Sequence, residues 1–179
     1  CLDAGASTGG FTDVLLRQGA KKVIAVDVGY GQLAWELRQD ERVVILDRTN
    51  IRHLTGDMVG EDVEIVVADL SFISLSLVLP ALAAVSKPSA DFLLMVKPQF
   101  EVGRERLGAG GVVRDPALRR SAVLDVAQSA YDVGLGTMGI AASPLPGPAG
   151  NVEYFLWLRR GAPAIDENAL DRAIEMGPA

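Results

Sequence analysis

Cysteine and histidine are almost missing from this 179-residue chain, where Cys1 and His53 are the only ones of their kind. A single cysteine excludes an internal disulfide framework and a cysteine-rich zinc site. A single histidine excludes a histidine cluster and argues against a Ser-His-Asp triad. No uninterrupted apolar run reaches the ~18 residues that suggest a membrane-spanning helix, and no signal-peptide pattern is present, so a cytoplasmic location is expected. Positive charge is also scarce: 17 Lys and Arg stand against 23 Asp and Glu, for a net charge of -6. Phosphate contacts need cations, so this balance argues against free-standing affinity for nucleic acid. An RNA substrate stays compatible with it if a separate basic module supplies the grip. The length suits one domain with a real core, and 49% apolar with 22% charged residues is an ordinary globular balance.

What is present begins with Asp3-Ala-Gly-Ala-Ser-Thr-Gly-Gly-Phe11, a glycine-rich turn between a strand end and an amphipathic helix. Such a turn lets backbone N–H groups approach a ligand that side chains would hold away. Asp27 closes the next apolar strand, Val23–Val26, where a carboxylate meets the ribose hydroxyls of a nucleotide-type cofactor. Gly5, Gly9 and Gly10 do not form the dinucleotide GxGxxG, and Asp3 precedes them. That pattern favours S-adenosylmethionine over NAD. Because the first residues already belong to a strand, a further upstream segment is expected.

Strand and helix signals alternate along the chain. Strands are expected around Cys1–Asp3 and over Val23–Val26, Val43–Leu46, Val63–Ala68, Asp91–Val96, Gly139–Ser143 and Asn151–Leu158. Helices are expected over Phe11–Gly19, Gly31–Arg38, Leu75–Val85, with Pro80 kinking it or sitting in its first turns, and Pro116–Val133. Continuous apolar runs such as Phe92–Val96 suit parallel strands buried on both faces. Between Pro98 and Pro116, the glycines Gly103, Gly108, Gly110 and Gly111 and the charges Arg104, Glu105, Arg106 and Arg114 indicate a long, mobile loop. Pro144–Gly150 indicates a turn, and a short helix over Glu167–Met176 lies in a C-terminal tail that frays. The order points to an α/β, doubly wound, mostly parallel sheet ending in an antiparallel hairpin at its edge.

Asp3, Asp27, Asp47 and Asp69 each stand at a strand end, and Lys97 ends the fifth strand. In open α/β sheets ligands lie outside these ends, so the set marks a site. Each residue alone has a plainer use: Asp69 as a helix N-cap, Lys97 as a solvated lysine, Glu153 as the exposed face of an edge strand. Together, Asp69 and Lys97 at adjacent strand ends can pair at the mouth of a cofactor pocket. A lysine–carboxylate cluster there suits methyl transfer to a hydroxyl, whose proton must be taken or steered. Lysine has a reference pKa of about 10.4, and nearby carboxylates oppose its lowering. Asp69 and Glu153 therefore orient Lys97, and the proton acceptor stays open.

The segments GASTGGFTDVLL, VDVGYGQL, ADLSFISL, LVKPQFE and SPLPGPAGNVEYFLWL together resemble the TlyA family. Its members are called hemolysins but are similar to FtsJ-type ribosomal RNA 2′-O-methyltransferases. The resemblance runs from Cys1 to about Arg159 and implies a Rossmann-like class I methyltransferase domain over residues 1–159, followed by a tail over 160–179. It implies methylation of cytidine ribose 2′-hydroxyls in 16S and 23S rRNA, with a bearing on susceptibility to cyclic-peptide antibiotics. Asp69, Lys97 and Glu153 match the last three members of the FtsJ-type Lys-Asp-Lys-Glu tetrad. The family's first lysine and its small RNA-binding domain lie upstream, so the resemblance implies a fragment that binds cofactor but lacks full RNA-binding and catalytic equipment. For S-adenosylmethionine it implies Asp3, Gly5, Ala6, Ser7, Gly9 and Gly10 around the methionine moiety and Asp27 with Val28 at the ribose. Thr49 and Asn50 would border the adenine, and Asp69 would lie near the sulfonium. Tyr30 and Gln32 either line this pocket or start the next helix. No metal is implied.

Three rivals remain. The hemolysin name suggests a membrane-lytic protein, but pore formation needs a spanning helix, a barrel pattern or a basic amphipathic helix. An NAD-dependent dehydrogenase is disfavoured by the glycine pattern. A cofactor-binding module without catalysis is the third.

Overall fold

A computed structural model describes residues 1–60, 63–147 and 149–178. Its elements, in chain order, are β1 (Leu2–Ala4), α1 (Gly10–Arg17), β2 (Val23–Val26), α2 (Trp35–Arg38), β3 (Val43–Leu46) and α3 (Gly56–Val59). They continue with β4 (Val63–Ala68), α4 (Leu79–Ala84), β5 (Ser86–Val96), α5 (Pro98–Glu101), α6 (Pro116–Asp132), β6 (Leu135–Ala142), β7 (Tyr154–Arg160) and α7 (Glu167–Glu175). One seven-stranded sheet has the order β3-β2-β1-β4-β5-β7-β6. β7 pairs antiparallel with both β5 and β6, and β1 to β5 are mutually parallel. The chain thus winds outward from β1 to β3, then restarts beside β1 at β4. The switch point between β1 and β4 is where such sheets open a crevice for a ligand.

One face of the sheet carries the main core. Leu2 lies opposite Ile24 and Val66, and Ala4 opposite Val26 and Ala68. Further along, Phe92 faces Leu158 and Leu94 faces Leu156. All pack in one buried cluster with Leu79 and Leu82 of α4, Val123, Val126 and Ala130 of α6, and Leu170 of α7. The helix beyond β7 is therefore docked on the core instead of fraying, because Leu170 and Ala173 recur at the spacing of one helix face. On the opposite face Ala6, Ala25 and Leu33 form a smaller cluster with Leu37, Val43 and Ile45. The expectation that β5 is buried on both faces fails on this side. Leu93 is 42% exposed and its β7 neighbour Trp157 38%.

Several boundaries also differ. The expected helix over Gly31–Arg38 is a single turn from Trp35, since Gly29 and Gly31 hold a loop in which Gly31 N–H donates to Asp47. Leu75–Val85 divides into a 3₁₀ turn, Leu75–Leu77, and α4, whose first turn contains Pro80. β6 starts earlier than expected, at Leu135, and β7 starts later, at Tyr154. The expected antiparallel hairpin is present at one end of the sheet, with β6 outermost and β7 between it and β5, while β3 forms the other edge. Residues 98–115 are not an open loop. They fold as α5 and two 3₁₀ turns around Val102 and Val113, which pack on Ala122 with Leu107 and Leu118. Of the expected turn at 144–150, Pro148 lies outside the described residues; Gly147 N–H donates to the Asn151 carbonyl and Gly150 N–H to that of Gly147. Among the described residues no helix is long and apolar enough to cross a membrane.

Candidate active site

The glycine turn is tied to the end of β2. Gly5 and Ala6 N–H groups both donate to the Val26 carbonyl at 2.9 and 3.1 Å. The Asp27 carboxylate then accepts Ser7 N–H at 2.9 Å on one oxygen and Gly29 N–H at 2.7 Å on the other. Each oxygen keeps a lone pair for a ligand hydroxyl, and the carboxylate is already oriented. Gly5 has φ +84°, and a Cβ there would stand 2.5 Å from the Asp69 carbonyl oxygen. Only glycine lets β1 turn this closely past β4. Gly10, the first residue of α1, would direct a Cβ into open space.

Two depressions meet at this turn and share Gly5, Ser7 and Asp69. One, of 360 Å³, is walled by Asp27, Val28, Gln32, Asn50, Ile51 and the run Leu70–Ile73, with Val78 at its base. The other, of 310 Å³, is walled by Ala6, Thr8, Gly10, Phe11 and Val14. The first is apolar with one acidic rim, as a nucleoside requires; the second offers backbone at a helix N-terminus, as an amino-acid moiety requires. The chain therefore fits S-adenosylmethionine lying across Gly5. A larger depression of 520 Å³ lies at the opposite strand ends, around Cys1 and Lys87, and contains none of the site residues.

The structure gathers most of the expected cofactor residues here, namely Gly5, Ala6, Ser7, Gly10, Asp27, Val28, Asn50 and Asp69, and it adds Gln32. It moves three away. Gly9, with φ +100°, would point a Cβ at Leu33 and Leu37, into the small core, so its role is the backbone turn that starts α1. Thr49 does not line either depression; its hydroxyl donates to the Asp47 carbonyl. Asp3 lies inside β1, fully buried, and its carboxylate accepts the Thr12 hydroxyl at 2.7 Å. Tyr30 likewise sits outside the walls, beneath the Arg48 guanidinium at 4.2 Å. Asp47 is spent on Gly31 N–H and Arg38.

Burial of Asp3 pushes its pKa up to about 6, against the pull of the Thr12 hydrogen bond. The folded value lies above the unfolded one, so stability falls as pH rises from about 4 to 6 and stays reduced above that. A two-unit shift corresponds to on the order of 3 kcal/mol. Asp3→Asn keeps an acceptor for Thr12 and should raise the unfolding midpoint at pH 7.5, with little gain at pH 4. Equal effects at both pH values would show that Asp3 is not carrying this charge penalty.

Beyond the cofactor crevice, at adjacent ends of β4 and β5, Lys97 Nζ lies 2.5 Å from Asp69 Oδ1 and 4.0 Å from Glu153 Oε1. Its ammonium also donates to Ser71 Oγ at 3.3 Å. The plainer readings of all three residues fall away. The 3₁₀ turn after Asp69 is capped by Ser74, whose Oγ accepts Ser76 N–H, and not by Asp69. The Lys97 side chain is only 11% exposed, so it is not a solvated lysine. Glu153 precedes β7 and is buried instead of standing on an exposed strand face. Its burial raises its proton affinity, with Lys97 and Gln99 pulling the other way. Gly147 makes room for it: a Cβ there would come within 2.7 Å of Glu153 Oε1.

Two features were not legible from strand ends. Phe72 has φ +64°, a conformation that a bulky side chain rarely adopts, and is 90% exposed beside the Phe100 ring at 5.1 Å. Glu101, half-buried, accepts the Ser74 hydroxyl at 2.5 Å and Leu75 N–H at 2.9 Å, stitching the crevice wall to the segment after Lys97. The wall Leu70-Ser-Phe-Ile73 was the available signal, as apolar residues directly after a strand-end Asp. Among the described residues no cluster of His, Cys, Asp and Glu is placed to hold a metal ion.

Residues 1–160 match the family model of the FtsJ-like methyltransferases. A 16S/23S rRNA (cytidine-2′-O)-methyltransferase, TlyA, of Mycobacterium tuberculosis is 60% identical across 99% of this chain and 68% of its own length. Hemolysin A of Brachyspira hyodysenteriae is 39% identical across 87% of this chain and 65% of its own length. A solved structure described as a hemolysin from Streptococcus thermophilus superposes with a TM-score of 0.92 at 41% identity, over 97% of this chain and 64% of that one. The chain thus spans about two thirds of the length of each of these three relatives.

Proposed function

We propose, from the premise that the chain belongs to the FtsJ-like methyltransferase family, that it is the catalytic domain of an S-adenosylmethionine-dependent rRNA methyltransferase acting on cytidine ribose 2′-hydroxyls of 16S and 23S rRNA. The observation that carries this reading is the Asp69–Lys97–Glu153 cluster standing beside, and sharing Asp69 with, a crevice shaped for the cofactor. The M. tuberculosis relative, named for that reaction, supports the choice of nucleotide.

Bound S-adenosylmethionine would supply an electrophilic methyl group on its sulfonium. Asp27 would hold the ribose hydroxyls, and Val28, Ile51 and Ile73 would enclose the base. Backbone from Gly5 to Gly10, with Asp3 ordering the turn through Thr12, would receive the methionine end. Lys97, fixed by Asp69, orients the attacking hydroxyl oxygen toward the methyl carbon, and such alignment removes much of the barrier. The hydroxyl proton leaves into the same cluster, where Glu153 carries the raised proton affinity. Phe72, exposed at the rim, offers a ring face on which a nucleobase can stack. Arg104, Arg106 and Arg114 stand exposed on the segment after Lys97 and could supply phosphate contacts to an otherwise acidic domain.

Solved structures described as hemolysins share this fold, and among the described residues no helix is long and apolar enough to cross a membrane. The test is transfer of labelled methyl from S-adenosylmethionine to ribosomal subunits by the full-length protein and by residues 1–179, followed by nuclease digestion and nucleoside analysis. The full-length protein should yield 2′-O-methylcytidine in both subunits. Label on a base, or on no RNA at all, overturns the reading.

A further inference from the structure

The segment Asn151–Glu153 enters the sheet next to the catalytic cluster, and Asn151 has no part in the chemistry described so far. It is nonetheless almost completely buried. Its side-chain oxygen accepts Val113 N–H at 2.8 Å, and its side-chain nitrogen donates to the Gly111 carbonyl at 3.1 Å. Both partners lie at the end of the folded segment that begins at Lys97 and carries Arg104 and Arg114. Arg119 of α6 holds the same stretch by donating to the Val113 carbonyl at 2.9 Å. The Asn151 backbone carbonyl accepts Gly147 N–H at 2.9 Å, and Gly147 is the glycine whose missing side chain leaves space for the Glu153 carboxylate.

We propose that Asn151 is a positioning residue that fastens the arginine-bearing segment to the backbone presenting Glu153, so that the substrate-facing segment and the catalytic cluster move as one body. A carboxamide suits this task because the two backbone groups it meets are of opposite type. One side chain supplies an acceptor for Val113 N–H and a donor for the Gly111 carbonyl, and neither buried group is left unpaired. Leucine, alanine or an acid cannot satisfy both. Asn151 and residues 111–113 line neither cofactor depression, so the fastening acts on substrate and cluster but not on the cofactor crevice.

This inference rests on the methyltransferase reading above, and the test separates the two. Asn151→Ala and Asn151→Asp, made in the full-length protein, are compared with wild type for cofactor affinity by calorimetry, thermal midpoint, and kcat, KM and pH profile of methyl transfer. The Asp variant keeps the acceptor and the shape but loses the donor. Both variants should bind S-adenosylmethionine as wild type does while kcat falls about 10- to 100-fold, the range that small misplacement of reacting groups produces. In Asn151→Ala, water admitted beside Glu153 should also move the acid limb of the pH profile downward, since burial is what raises that carboxyl. Wild-type turnover and an unmoved limb in a folded variant would overturn the inference. So would unfolding of both variants, which would make Asn151 a prop of the whole domain. A wild-type protein that transfers no methyl group to RNA would instead defeat the underlying reading.

Discussion

Replacing Lys97 by alanine in the full-length protein should lower methyl transfer by roughly 10²- to 10⁴-fold, the range associated with a positioned acid–base group. S-adenosylmethionine should still bind, because Lys97 belongs to neither wall of the cofactor crevice. Two consequences follow inside the cluster. Asp69, held 2.5 Å from the ammonium, loses the partner that fixes its carboxylate. Glu153 loses the positive charge that opposes its burial and takes protons more readily still. The loss should therefore appear in kcat and kcat/KM together, not in KM alone, as for an interaction made chiefly in the transition state. Single-turnover transfer to ribosomal subunits measures it, with calorimetry confirming the cofactor. Near-normal transfer by a folded Lys97→Ala protein would remove this cluster from the chemistry.

Asp27→Ala should act on the other half of the site. The substitution removes a carboxylate that holds Ser7 N–H and Gly29 N–H and leaves the ribose hydroxyls without an acceptor. Hydrogen bonds to charged groups are worth about 1.5–3 kcal/mol, which is roughly a 10- to 150-fold loss of affinity. Asp27→Asn keeps part of the geometry and should fall between wild type and alanine. Calorimetric titration with S-adenosylmethionine and S-adenosylhomocysteine reads both variants. Unchanged affinity in the alanine variant would place the cofactor somewhere other than this crevice. A parallel substitution at Gly9 is not equivalent, because its side chain would enter the small core against Leu33 and Leu37 and report on folding instead.

Most of this site was legible in the sequence because strands announce their own ends. An apolar run closed by Asp or Lys marks a residue just outside the sheet, and parallel order places those ends on one side. Asp27, Asp69 and Lys97 were found that way, and the glycine turn was found from its composition. Asp3, Gly9 and Thr49 were grouped with the crevice because they stand in the same short motifs. Neighbours in sequence point in different directions, however: Asp3 turns under α1, Gly9 faces Leu33, and Thr49 turns back to its own loop. Glu153 was identified by its motif, but its burial depends on Gly147 and on the late start of β7.

By itself, then, the sequence determined the class of fold, the order of its elements, the glycine turn and the charged residues at the strand ends. These are local properties, set by hydrophobic period, turn chemistry and the length of each run. Only the tertiary structure decided that β7 inserts between β5 and β6, bringing Glu153 across from Lys97. It alone also folded residues 98–115 onto Val102 and Val113 and delivered the Val113 and Gly111 backbone groups to the side chain of Asn151. Those contacts join residues far apart in the chain, and what selects them is the pairing of buried polar groups and the packing of one core, which no local pattern encodes.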